Sequence, residues 1–247
     1  MSVVNQKGGT GKTTTTLNLG AALANLDQKV LLLDIDPQGS LSYSLGVTDP
    51  AYEMTDLLEG RISAEQSIID IPKENLHLVP SSLSLADLEL NLVQLENRIN
   101  LLGDAIALLD DYDYIIIDCP PALSLLTLNA LATSKFAIIP LQLEVLSARG
   151  LDQILGSIER INKSLDHDLE VMGVLPVMVD GRKRLSSEVY DYITNSYDVP
   201  VFESKVRVNV RISEAPSFAQ SVMSYSPKSN GCADYKALAK EILNYQN

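Results

Sequence analysis

The sequence predicts an α/β protein with a mainly parallel sheet between layers of helices. Short runs of Val, Ile and Leu, such as VLLLD at 30–34 and YIIID at 114–118, alternate with longer segments of helical periodicity. Apolar residues make up 46% of the 247, with no Trp and only three Phe, which is the aliphatic interior of strands covered on both sides. A Gly-rich stretch, KGGTGKT at 7–13, falls between the first apolar run and the first helical one, where an open α/β sheet places its ligands.

Residues 2–5, ahead of the Gly-rich stretch, can make a short strand. Residues 13–26 read as a helix, with Leu17, Ala21 and Ala24 along one side. A strand over 29–36 is flanked by charge and ended by Pro37, and 76–79 is another. Residues 85–109 are helical, with a break expected near Gly103. The strand at 114–118 stops at Pro120 and Pro121, and 136–140 is a further one. A helix over 150–165, a strand over 171–179, a helix over 185–196 and a closing helix over 234–244 complete the alternation. No repeat, low-complexity tract or linker divides the chain, so one domain over 1–247 is expected. The less regular stretches 39–72 and 180–227 are expected as surface attachments on its core.

Several function classes are excluded or discouraged by composition. A net charge of −13 argues, taken alone, against general nucleic-acid binding, which phosphate neutralisation drives. The two cysteines, Cys119 and Cys232, and the two histidines, His77 and His167, have no metal-ligand spacing. No apolar run is long enough to span a membrane, and no secretory leader is recognisable, so a cytosolic, thiol-reduced protein is expected.

The stretch NQKGGTGKTT carries the chemistry. A Gly-rich turn between strand and helix presents backbone N–H groups to phosphate oxygens, and Gly8, Gly9 and Gly11 suit that turn. Lys12 would reach the β and γ phosphates, and the Thr13 hydroxyl would ligate magnesium. The usual spelling has a Gly where this chain has Gln6, and Lys7 adds a second lysine at the mouth of the loop. Two carboxylates follow at a strand end, Asp34 and Asp36; one is expected to be structural and the other to face phosphate or water. Asp118, after IIID, is the candidate for a magnesium contact through a coordinated water. Cys119, in an apolar, proline-bound setting without a CxxC, reads as packed rather than redox-active.

At these residues the sequence resembles the ParA family of partition ATPases, in the small, Soj-like form that lacks an N-terminal helix-turn-helix domain. The stretches NQKGGTGKTTTTLNLG, VLLLDIDPQGSLS, YDYIIIDCPPALSLLTLNAL, VMGVLPVMVDGRKRLS and VRISEAPSFAQSVMSYSPKSNG carry it, in the family's order and across nearly the whole chain. The resemblance implies a three-layer P-loop fold, ATP and Mg2+ as cofactors, and slow, partner-stimulated hydrolysis of ATP to ADP and phosphate. It gives Lys7 a role: reaching across a dimer interface to the partner subunit's ATP while Lys12 serves its own. The phosphate cradle would comprise Lys7, Gly8, Gly9, Thr10, Gly11, Lys12, Thr13 and Thr14, with Pro216 near the base. Asp36 looks like the residue that helps place the attacking water and is a further possible metal contact, with Asp34 in support. Implied partners are a second copy of the chain, double-stranded DNA bound without sequence preference, and a ParB-like centromere-binding protein. The implied location is the cytoplasm, on the nucleoid, with no stable membrane association.

The charge objection weakens when basic residues are located. Arg182, Lys183, Arg184, Lys205, Arg207, Arg211 and Lys228 are seven of the 19, so one surface could be positive on an acidic whole. Arg182 and Arg211 fall on family positions linked to DNA. Arg207 stands one place earlier than the family's arginine, a shift that can turn a strand residue to the other face. Arg149, where the family often has Glu, opens the helix expected from 150. The main rival is a membrane-recruited, MinD-like division-site ATPase, which should end in a basic amphipathic helix. The tail at 236–247 looks instead like core packing. An iron–sulfur ATPase would need cysteines in a setting that neither cysteine has.

Overall fold

A computed structural model describes residues 1–94, 97–144, 147–180, 182 and 184–245, with the backbone alone at 184 and 185. Its sheet consists of β1 (Ser2–Val3), β2 (Val30–Asp34), β3 (Ile69–Ile71), β4 (Leu76–Val79), β5 (Tyr114–Asp118), β6 (Phe136–Gln142) and β7 (Glu170–Val177), in the order β3-β4-β2-β5-β1-β6-β7. Every neighbouring pair is parallel except β3 with β4. Around it lie α1 (Lys12–Ala24), α2 (Ser40–Ser44), α3 (Met54–Leu58), α4 (Ala64–Ser67), α5 (Ser84–Leu92), α6 (Leu101–Ile106), α7 (Leu125–Thr133), α8 (Ser147–Leu165), α9 (Arg184–Ser196), α10 (Val210–Glu214), α11 (Val222–Tyr225) and α12 (Asn230–Tyr245).

Strand alternation builds the three layers. In β2, Val30 and Leu32 share one core with Leu17 and Leu23 of α1 and Leu238 and Ile242 of α12. Leu31 and Leu33 join the opposite core, with Leu88 of α5, Leu131 of α7 and Ile154 of α8. Each such side chain contributes about 1.5–3 kcal/mol by leaving water. Two residues suffice for β1 because it pairs on both sides, Ser2 with Ile117 and Ala137, Val3 with Asp118 and Ile138. The chain therefore leaves the middle of the sheet directly into the Gly-rich stretch. It next returns as β2, beyond β5, which opens a crevice at the carboxyl ends of the strands.

Some boundaries differ from the expectations. The break in the helical stretch 85–109 lies between α5 and α6, whereas Gly103 is inside α6. A Cβ on Gly103 would stand 3.3 Å from Thr133 Oγ1, so this glycine permits close packing on α7. The break is held instead by Asn129, whose Nδ2 donates to the Arg98 carbonyl (2.6 Å) and whose Oδ1 accepts from Leu102 N (3.1 Å). The stretch 39–72 is more than a surface attachment: it supplies α2–α4 and β3, and its Leu41 and Met54 are fully buried.

Candidate nucleotide site

The loop from Asn5 to Gly11 is shaped by one buried side chain and two glycines. Asn5 Nδ2 donates to the Pro140 carbonyl (2.6 Å), while its Oδ1 accepts from Lys7 N (2.9 Å). That local turn leaves Gln6 without a positive φ, so the backbone there does not call for a glycine. Gly9 (φ 74°) and Gly11 (φ 79°) take left-handed backbone, and a Cβ on Gly8 or Gly9 would meet nothing within 4 Å. Gly11 heads α1 without any side-chain cap. The first N–H groups of a 13-residue helix are thus presented to the crevice, an arrangement suited to phosphate.

The two lysines have different surroundings. Lys12 is buried (7% exposed), and burial lowers its pKa against the opposing pull of Asp118, Cys119 and Asp36. Lys7 is half exposed; its Nζ donates to Glu144 Oε2 at 2.7 Å and lies 3.5 Å from Gln142 Oε1. Thr10 Oγ1 ties the loop by donating to the Lys7 carbonyl (3.2 Å).

Three carboxylates converge below Lys12. Asp118 is buried at the end of β5, accepting from Thr13 Oγ1 (2.7 Å) and Thr16 Oγ1 (3.4 Å). Burial, followed by Asp34 nearby, raises its pKa well above the usual carboxylate range. Asp34 stands opposite it in register and is pushed up to about 6, chiefly by burial. Asp36 lies just beyond β2, its Oδ1 accepting from Gln38 N (2.9 Å). Asp34 and Asp36 differ in their surroundings: Asp34 is fully buried and accepts from Ser42 N and Oγ, whereas Asp36 is 8% exposed and close enough to Lys12 to oppose the lowering of its pKa.

Among the described residues, no three His, Cys, Asp or Glu side chains form a direct metal cage. A hydroxyl and a buried carboxylate 2.7 Å apart nevertheless fit magnesium, which keeps several waters and takes phosphate oxygens. Cys119 and Cys232 are free and buried, and burial raises the Cys119 thiol strongly; both are packing residues here.

A cavity of about 440 Å³ opens beside the loop, lined by Gly11, Thr14, Met178, Asn209, Pro216 and Tyr235 among others. Pro216 and Thr14 therefore share one apolar recess, adjacent to the phosphate cradle and of a size for a base and sugar. The basic runs also come together. Val179 N donates to the Val206 carbonyl and Val208 N to that of Val179, which lays the segment carrying Lys205, Arg207 and Arg211 beside the turn carrying Arg182. Arg182 is 91% exposed and forms a bidentate pair with Asp180 (2.9 Å to each oxygen). Arg211 pairs with Glu214 (2.8 Å), and the Lys205 ammonium lies 3.8 Å from the Tyr190 ring centroid. Arg207 is bound to the buried Asp234 through Nη2 (2.5 Å) and Nε (3.1 Å). Lys183 and the Arg184 side chain lie outside the described residues. Arg149 is exposed in the first turn of α8, which begins at Ser147.

Sequence reasoning missed Asn5, Glu144, Ser42 and Ser81. Only Asn5 had a signal, a turn-forming residue directly before the glycines; Glu144 and Ser81 arrive from the ends of other strands, and Ser42 from α2, eight residues after the Asp34 it binds.

A three-layer sheet with a lysine-bearing glycine turn above a buried Asp–Thr pair defines a P-loop nucleoside triphosphatase. A family profile described as an AAA domain matches residues 1–171. The sporulation initiation inhibitor protein Soj of Bacillus subtilis is 41% identical over 249 residues, covering 98% of this chain and 97% of that protein. The chromosome partitioning protein ParA of Myxococcus xanthus is also 41% identical, over 98% of this chain and 86% of its own. Among solved structures, a cobyrinic acid a,c-diamide synthase from Mycobacterium smegmatis with bound ATP analogue and magnesium has a TM-score of 0.87 and 34% identity, over 99% of this chain and 94% of that one. The chain belongs to the ParA/Soj family of partition ATPases.

Proposed function

We propose that this chain binds ATP with Mg2+, closes with a second copy around it, and in that state holds double-stranded DNA without sequence preference. Hydrolysis, stimulated by a ParB-like partner, then releases the DNA. The observation that carries the reading is the contrast between the lysines. Lys12 is buried over its own crevice, whereas Lys7 extends on the surface, held by an exposed carboxylate that a phosphate from another subunit could replace.

The roles of individual residues follow. Backbone N–H groups from Gly8 to Thr13 hold the β and γ phosphates, with the Lys12 ammonium offsetting their charge. Thr13, and Asp118 through water, would hold magnesium; Asp36 is a further possible contact. Magnesium supplies charge neutralisation on the phosphate oxygens. The recess around Thr14 and Pro216 takes the base. The Asp36 carboxylate orients the attacking water, and Lys7 from the partner subunit stabilises charge on the γ-phosphate. Arg182, Lys205 and Arg211, with Lys183 and Arg184 beside them in sequence, form the DNA surface; Arg207 is a weaker member, engaged with Asp234. The proposed location is the cytoplasm, on the nucleoid.

One observation counts against the division-site alternative. Leu238, Ala239 and Ile242 of α12 are fully buried, so the apolar side of this helix is occupied by the core rather than offered to lipid.

The test is DNA retention with ATP, with ADP and without nucleotide, alongside dimerisation by light scattering. Lys12→Ala is expected to lose nucleotide binding. Lys7→Ala is expected to bind nucleotide as a monomer but to lose the ATP-dependent dimer and its DNA retention. Equal DNA binding in all three nucleotide states would sink the cycle, and normal dimerisation by Lys7→Ala would remove the assignment of Lys7.

A further inference from the structure

Asp36 lies beyond the last residue of β2, so no strand ladder holds its backbone. Its N–H donates to Asp34 Oδ1 (3.2 Å). Its carbonyl accepts from Gly39 N (2.9 Å) within its own turn, and from Ser81 Oγ (3.0 Å), 45 residues away. Ser81 follows β4 and is 6% exposed. Its own N–H donates to Ser42 Oγ (3.0 Å), whose hydrogen goes to Asp34 Oδ2 (2.7 Å). The turn after Asp36 presses on the same place: Gly39 has φ 60°, and a Cβ there would lie 2.8 Å from the Ser81 carbonyl oxygen. One serine thus joins the end of β4 to the turn bearing Asp36.

We infer that Ser81 is a positioning residue for hydrolysis, fixing through the Asp36 carbonyl where the Asp36 carboxylate stands. This rests on the reading of Asp36 as the residue that orients water. Ser81 hydrogen-bonds to Asp36 and Ser42 rather than to the phosphate cradle, so it acts on the rate and leaves nucleotide capture intact. Removing the hydroxyl leaves the Asp36 carbonyl bonded to Gly39 N, so the turn survives but moves more freely. Small displacements of a water-orienting group are costly to a reaction that depends on alignment.

The experiment is hydrolysis by Ser81→Ala, Ser81→Thr, Asp36→Ala and the double variant Asp36→Ala/Ser81→Ala, with DNA present, together with ADP affinity. Ser81→Ala should lower kcat about 5- to 10-fold, the effect of losing one hydrogen bond of about 1 kcal/mol. KM and ADP affinity should stay within about twofold, because uniform binding is untouched. Ser81→Thr keeps a hydroxyl and should recover most of the rate. The double variant should be no slower than Asp36→Ala alone, since Ser81 acts only through Asp36. A wild-type kcat in Ser81→Ala, a Ser81→Thr as slow as Ser81→Ala, or a further slowing in the double variant overturns the inference. Wild-type hydrolysis by Asp36→Ala would instead overturn the reading of Asp36 itself, so the two failures are distinguishable.

Discussion

Asp34 and Asp118 are buried beside each other, and both bind protons more tightly in the folded chain than an exposed carboxylate does. For Asp34 the sign is definite. Its folded pKa, about 6, exceeds the ordinary value of 3.8, so the folded state binds the extra proton between them. The stability this contributes is complete below the ordinary value and disappears as pH rises through about 6. Carbon-13 titration of the Asp34 carboxyl in the nucleotide-free protein should show a midpoint near 6. A midpoint below the ordinary 3.8 would contradict the buried environment described here. Bound Mg-ADP should lower the Asp118 midpoint, because a nearby divalent cation favours the ionised carboxylate.

Elements show where the sequence was readable. Strands β2 and β5 were plain because buried parallel strands are nearly continuous aliphatic runs, and the phosphate loop because its glycines and GKT have few other uses. The antiparallel β3 was not, since Ile-Asp-Ile is too short to carry a period and acquires its identity from pairing with β4. Gly103 misled for a related reason: a glycine that breaks a helix and one that lets two helices approach look alike in sequence. Ser42 and Ser81 were invisible, because only the parallel pairing of β2 with β4 brings them together. Gly231, in the first turn of α12, is a similar contact glycine. A Cβ there would be 2.6 Å from Ile212 Cγ1 and 3.4 Å from Asn209 Cγ, both from residues lining the recess proposed for the base. Gly231→Ala should therefore destabilise the chain by about 1–3 kcal/mol and weaken ADP binding. Thermal melts with and without ADP, beside a direct ADP titration, would check it; an unchanged ADP affinity would separate α12 from the recess.

At the scale of the molecule, an acidic protein of net charge −13 can hold DNA only through a local surface, and two copies would double it. Arg211 and Arg207 should behave differently although they are four positions apart. Arg211 pairs with a part-exposed Glu214, a contact that DNA phosphate can replace. Arg211→Ala should lower DNA retention and reduce the salt slope of binding by about 0.9 per chain, leaving the melting temperature nearly unchanged. Arg207 serves the buried Asp234, so Arg207→Ala should lower the melting temperature first. Retention measured across a salt series, beside melting curves, separates the two; identical behaviour would show that the pairing with Asp234 is irrelevant. The margins of the sheet bear on contact between copies of the chain. At one margin β3 is three residues long, carries an outward Asp70 and is followed by Pro72; at the other, β7 is bridged at Val174 by Val201, and Val179, just beyond the strand, by Arg207. Among the described residues, neither margin offers a long bare strand for a neighbouring chain to extend, which guards against cross-β pairing between copies.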